Sequence, residues 1–139
     1  MSREAIIALA SRCEQATGPD RQLDVEIVAA ITPGIVGIER GPLDGSGDDY
    51  LFVFDPPRAW SESWLLVPRY TGSLDAALTL VPDGHAISLH IDADGTVIAG
   101  CMPDDGDGCT DADICASNAP LALCAAALRA RAAMETPDA

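Results

Sequence analysis

The chain contains no lysine. Its 8 basic residues are all arginine, they face 22 aspartates and glutamates, and the formal net charge is −14. Nucleic-acid binding needs cations that neutralise phosphate, so direct binding to nucleic acid is not expected. An anionic membrane surface is disfavoured for the same reason. No apolar run approaches the roughly 18 residues of a membrane-spanning helix. The start, Met1-Ser2-Arg3-Glu4, carries an acid early and Glu14 interrupts the apolar residues that follow, which is unlike a signal peptide. A cytoplasmic location is the expectation. Aromatic residues make up only 4% of the chain. The core should therefore be aliphatic, with Tyr50, Phe52, Phe54, Trp60, Trp64 and Tyr70 as its few large pieces.

Chemistry is also sparse. Histidine occurs only at His85 and His90. Neither stands in a nucleophile-elbow or cysteine-protease context. There is no phosphate-binding loop and no dinucleotide fingerprint. No enzymatic activity and no cofactor are expected. The five cysteines, Cys13, Cys101, Cys109, Cys115 and Cys124, are odd in number, so free thiols are the expectation in a reducing compartment. Cys101, Cys109 and Cys115 lack the paired Cys-x-x-Cys spacing of a zinc site. A calcium loop begun at Asp105 would place Cys109 at a ligand position and has no closing glutamate, and Asp92-Ala93-Asp94-Gly95 lacks a third ligand. No bound metal is expected.

What is present is a pattern of helices and strands in one α+β domain over residues 1–139. Ser2 can cap a helix in which Ile6, Leu9, Cys13 and Ala16 share a face, and Thr17-Gly18-Pro19 ends it. Asp20 caps a second helix over Arg21–Ala30 with Leu23, Ile27 and Ala30 inward, closed by Thr32-Pro33-Gly34. Residues 35–63 read as a loop insertion rich in glycine, proline and aspartate, mobile over 41–49, with one short strand at Tyr50–Phe54. Ser73 caps a short helix through Leu80, with Leu74, Ala77, Leu78 and Val81 on its apolar side. Ala86–Ile91 alternates, with Ile87, Leu89 and Ile91 on one face. Asp92-Ala93-Asp94-Gly95 is a hairpin turn and Thr96–Met102 the returning strand. A second loop insertion covers about 103–117. Asn118 caps a last helix with Pro120 in its first turn and Leu121, Cys124, Ala125, Leu128 and Ala132 inward. Helices should pack around a small antiparallel sheet centred on the 87–102 hairpin, with the hairpin facing the final helix.

Three segments, Leu9–Asp24, Tyr70–Ala77 and Ala119–Ala130, resemble in order and spacing the phage α-β-α sandwich domain proteins. The resemblance implies a small phage- or prophage-encoded domain in the cytoplasm of a host bacterial cell. It carries over no catalytic residue. The expected function is non-catalytic binding of a protein partner, in its sharpest form inhibition of host defence in the manner of an anti-CRISPR protein. A phage assembly accessory or a small-ligand module are the alternatives. Acids cluster at Asp104, Asp105, Asp107, Asp111 and Asp113, with Asp44, Asp48 and Asp49 as a second group. These are the expected partner-binding residues, imitating phosphate spacing against a basic nucleic-acid-binding surface.

Overall fold

A computed structural model of the protein describes residues 3–32, 34–40, 50–59, 64–65, 67–103 and 114–134. The elements are α1 (Arg3–Gln15), α2 (Arg21–Ile31), β1 (Ile35–Arg40), β2 (Tyr50–Phe54), β3 (Trp64–Leu65), α3 (Leu74–Leu78), β4 (His85–Ile91), β5 (Val97–Pro103), β6 (Ile114–Ala116) and α4 (Ala119–Met134). The fold is α+β. It has two three-stranded antiparallel sheets, ordered β1-β2-β3 and β4-β5-β6, where the sequence suggested one.

Helix starts follow the capping chemistry. Asp20 accepts from the Leu23 N–H, Ser73 from Ala76 and Asn118 from Leu121. Helix α4 is the centre of the molecule. Every residue from Leu121 to Leu128 is buried, so its apolar surface is a full cylinder and not the single stripe that spacing predicts. It is covered by α1, by β5 and β6, and by α3. Its many alanines permit close approach on all these sides.

Residues 35–63 depart from the loop reading, because Ile35–Arg40 is a strand. The ladder shifts between Ile35 and Gly37, a β-bulge. The extra residue puts Ile35 and Ile38 both against the core and leaves Val36 exposed. That three-residue spacing erases the alternation by which a strand is read. Partner strand β2 carries Phe52 and Phe54 into the core. Tyr70 is buried too, while the side chains of Tyr50, Trp60 and Trp64 lie outside the described residues.

Two inward assignments are corrected. Leu74 and Leu78 of α3 are exposed, and Leu80 just beyond the helix is fully buried in their place. A five-residue helix is too short to present a long stripe, so its C-terminal turn does the packing. Ile87, Leu89 and Ile91 are likewise exposed. They share a face with their cross-strand partners Cys101, Ala99 and Val97. Val97 and Ala99 are buried where β5 meets α4, whereas β4 lies one strand further out, beyond the helix. The hairpin does meet the final helix, but through β5.

Candidate functional site

Every one of the eight aspartates expected to bind a partner, Asp44, Asp48, Asp49, Asp104, Asp105, Asp107, Asp111 and Asp113, lies outside the described residues. The ends of the 104–113 segment are placed. Pro103 pairs with His85 and Ile114 with Ala99.

In the second sheet β4 is an outer strand, with β5 on one side and no strand on the other among the described residues. The turn between β4 and β5 follows from its residues. Gly95 donates to the Asp92 carbonyl and takes φ +89°, a left-handed value that glycine adopts without a Cβ clash. The Asp94 carboxylate accepts the Thr96 N–H at 3.0 Å. That bond holds its pKa below the ordinary carboxylate value. Asp92 N–H donates to the Thr96 carbonyl at 2.9 Å, which sets the phase of the ladder. Antiparallel pairs alternate between hydrogen-bonded and non-bonded. With the register His90↔Ile98, Ser88↔Gly100 and Ala86↔Met102, those pairs exchange the bonds to β5. The N–H and C=O groups of Ile87, Leu89 and Ile91 therefore point away from β5, along the edge that has no partner strand among the described residues. Two details agree with this phase. Pro103, which has no N–H, sits opposite His85 at a non-bonded position, and the His85 N–H turns back to the Pro82 carbonyl.

Side chains complete the edge. Ile87, Leu89 and Ile91 are 38%, 37% and 60% exposed, a stripe of half-covered aliphatics beside the open backbone groups. Asp83 precedes the strand, and Asp92 and Asp94 follow it. No charged acid or arginine lies between His85 and Ile91. His90 faces solvent and meets the Asp92 carboxylate at 2.7 Å. His85 Nδ1 lies 3.2 Å from the Asp83 carbonyl oxygen.

A second cluster was not anticipated. Asp24, on α2, is 2% exposed. Its Oδ1 accepts from the Thr71 N–H at 2.8 Å and from the Thr71 hydroxyl at 2.9 Å, and its Oδ2 from Arg21 at 3.1 Å. Arg21 also donates to the carbonyls of Val67 and Pro68. The Thr71 hydroxyl accepts the Asp20 N–H at 2.8 Å. Together these bonds clamp the turn before α3 to the start of α2. The sequence held a signal for Asp24. It lies three and four positions before Ile27 and Val28, on the apolar face, where a charge demands a partner. Beside the clamp is a small depression of about 160 Å³ over Pro19, Arg69 and Gly72. A shallow groove of about 380 Å³ lies between Thr79–Asp83 and the end of α4 at Arg131 and Met134. Arg131 there is held by the Leu80 carbonyl at 2.6 Å.

The thiols occupy distinct settings. Cys13 and Cys124 are buried against each other between α1 and α4, and the Cys124 thiol donates to the Tyr70 carbonyl at 3.1 Å. The hydrogen-bonding interaction with the Cys13 thiol and burial push the Cys124 thiol far up. Burial raises the half-buried Cys101, partly offset by Arg131. Cys115 is exposed, and Cys109 lies outside the described residues. Among the described residues, no three histidine, cysteine or acidic side chains gather as metal ligands. No described helix is long and apolar enough to cross a membrane. Comparison of the chain with protein-family profiles, with characterised proteins and with solved structures returns no match.

Proposed function

We infer that the protein works by binding another protein, as an acidic, phage- or prophage-encoded inhibitor that competes with nucleic acid for a basic surface of a host defence complex. The observation that carries this reading is the charge, 22 acids against 8 arginines with no lysine. The placement of the arginines supports it. Arg12 pairs with Glu26, Arg21 with Asp24 and Arg129 with Glu14. Arg131 binds a backbone carbonyl, and Arg58 stacks 4.0 Å above the Phe54 ring. These cations serve the protein's own packing. These five described arginines are engaged within the chain, and we assign the acids of 104–113, which outnumber any nearby cation in the sequence, to a basic partner.

The test begins with partners captured from a host lysate. The association rate of each purified partner is then measured at low and high salt, with the wild type and with Asp104, Asp105, Asp107, Asp111 and Asp113 all replaced by asparagine. Exposed charges are screened beyond about 10 Å at 0.1 M salt. Steered association should therefore slow with salt and with neutralisation, and nucleic acid should displace the protein. An association rate indifferent to both salt and the five replacements overturns the reading.

A further inference from the structure

We propose that the free edge of β4 is a docking strand, on which an extended segment of the partner protein pairs as a fourth strand of the β4-β5-β6 sheet. The proposal rests on the reading that the protein acts by binding a protein, and adds where and by what chemistry. Three observations meet at one place. The backbone groups of Ile87, Leu89 and Ile91 face outward with no strand beside them among the described elements. The side chains of the same three residues stand half-exposed on one face of the sheet. Within residues 85–91 the strand carries no lysine, arginine, proline or bulge of the kind that blocks edge pairing.

Charge selects the occupant. Asp83 lies at one end of the strand and Asp92 and Asp94 at the other, with no acid, lysine or arginine between them and Ile87, Leu89 and Ile91 at alternate positions. The fitting segment has apolar residues at alternate positions and arginine or lysine at both ends. A second copy of this chain fits poorly. Two β4 strands paired in either direction set acids against acids at both ends, and each copy brings a net charge of −14.

The probe is a synthetic peptide, Arg-Arg-Val-Thr-Val-Thr-Val-Arg-Arg, with a control in which every arginine is glutamate. A second control is N-methylated at its valines, so that one peptide edge cannot pair. The readout is amide hydrogen exchange by NMR. In the free protein the amides of Ala86, Ser88 and His90 should be slow, and those of Ile87, Leu89 and Ile91 fast. The basic peptide should slow the Ile87, Leu89 and Ile91 amides at least tenfold and do so less as salt rises. The acidic peptide should not. The N-methylated peptide should protect these amides at least tenfold less than its parent. Leu89→Lys and Ile91→Lys, at solvent-accessible positions, should each weaken peptide binding at least tenfold while thermal unfolding keeps its midpoint. If Leu89→Lys unfolds the protein, the double variant Asp83→Asn/Asp92→Asn serves in its place, and it should reduce both affinity and salt dependence.

Peptide binding that leaves these three amides fast overturns the proposal. So does equal binding of the acidic peptide. So does a concentration-dependent dimer that protects the three amides without peptide, because a second copy is then the occupant. If β4 fails these tests while captured partners still associate in a salt-dependent way, the edge assignment falls and the protein-binding reading stands. If neither holds, both fall.

Discussion

Replacing Asp24 by alanine should remove a large part of the protein's stability. The carboxylate is 2% exposed and holds three hydrogen bonds, two of them to Thr71, which is itself 0% exposed. Alanine leaves the Thr71 amide without its acceptor in a dry site, which costs about 1–3 kcal/mol. It also removes the Asp24 carboxylate from Arg21. A fully buried pair broken on one side costs about 3–5 kcal/mol. Here the Arg21 side chain is 22% exposed and keeps the carbonyls of Val67 and Pro68, so only part of that applies. A total loss of about 3–4 kcal/mol follows, against an overall stability of about 5–15 kcal/mol. At about 4 °C per kcal/mol for a chain of this size, the melting temperature should fall by roughly 12–16 °C. Urea unfolding with an unchanged slope would report the free energy directly. Thr71→Val keeps the shape and removes the hydroxyl that accepts from Asp20, at about 1–3 kcal/mol. Because both changes dismantle one clamp, the double variant should lose at least about 1 kcal/mol less than the sum of the singles. A loss below about 1 kcal/mol for Asp24→Ala, or strict additivity in the double variant, would refute the reasoning.

Thiol chemistry should follow burial. Among the four described cysteines, Cys115 should react with a disulfide reagent first, Cys101 more slowly because it is half-buried and burial raises its thiol pKa, and Cys13 and Cys124 only on unfolding. Peptide mass mapping over time checks the order, and early labelling of Cys124 would contradict it. The hairpin turn should tighten above the Asp94 titration and loosen as pH falls through it. The native pKa is depressed by the Thr96 N–H, so the ordered turn is favoured wherever the carboxylate is ionised. An Asp94 carboxyl titrating at or above 3.8 by NMR would show that the bond is absent in solution.

Much of this architecture was legible in local chemistry. Asp20, Ser73 and Asn118 announce three helices because capping is a contact over three residues, decided within the segment itself. The Asp-Gly turn announces the hairpin for the same reason. Strand order is decided by distant residues, and there the reading failed. The alternation of Ile87, Leu89 and Ile91 marks a face correctly, but nothing local says that β4 is outermost and lies beyond the helix. The bulge at Ile35–Gly37 breaks the very period by which β1 would be found. For the site, the charge excess was visible at once. The open backbone edge was not, since it exists only once β5 has taken the other side of β4.

The pairing of α1 with α4 also bears on how the protein is made. Ser117 reaches the Ala16 carbonyl across 101 positions, and Arg129 reaches Glu14 across 115. Translation advances at about 5–20 residues per second, so α1 waits roughly 5–20 s for the helix that covers it. During that interval Ile6, Leu9 and Cys13 are sticky surface on a nascent chain. A chain cut before Ala119 lacks the helix that covers Ile6, Leu9 and Cys13 and should expose them to chaperones and proteases.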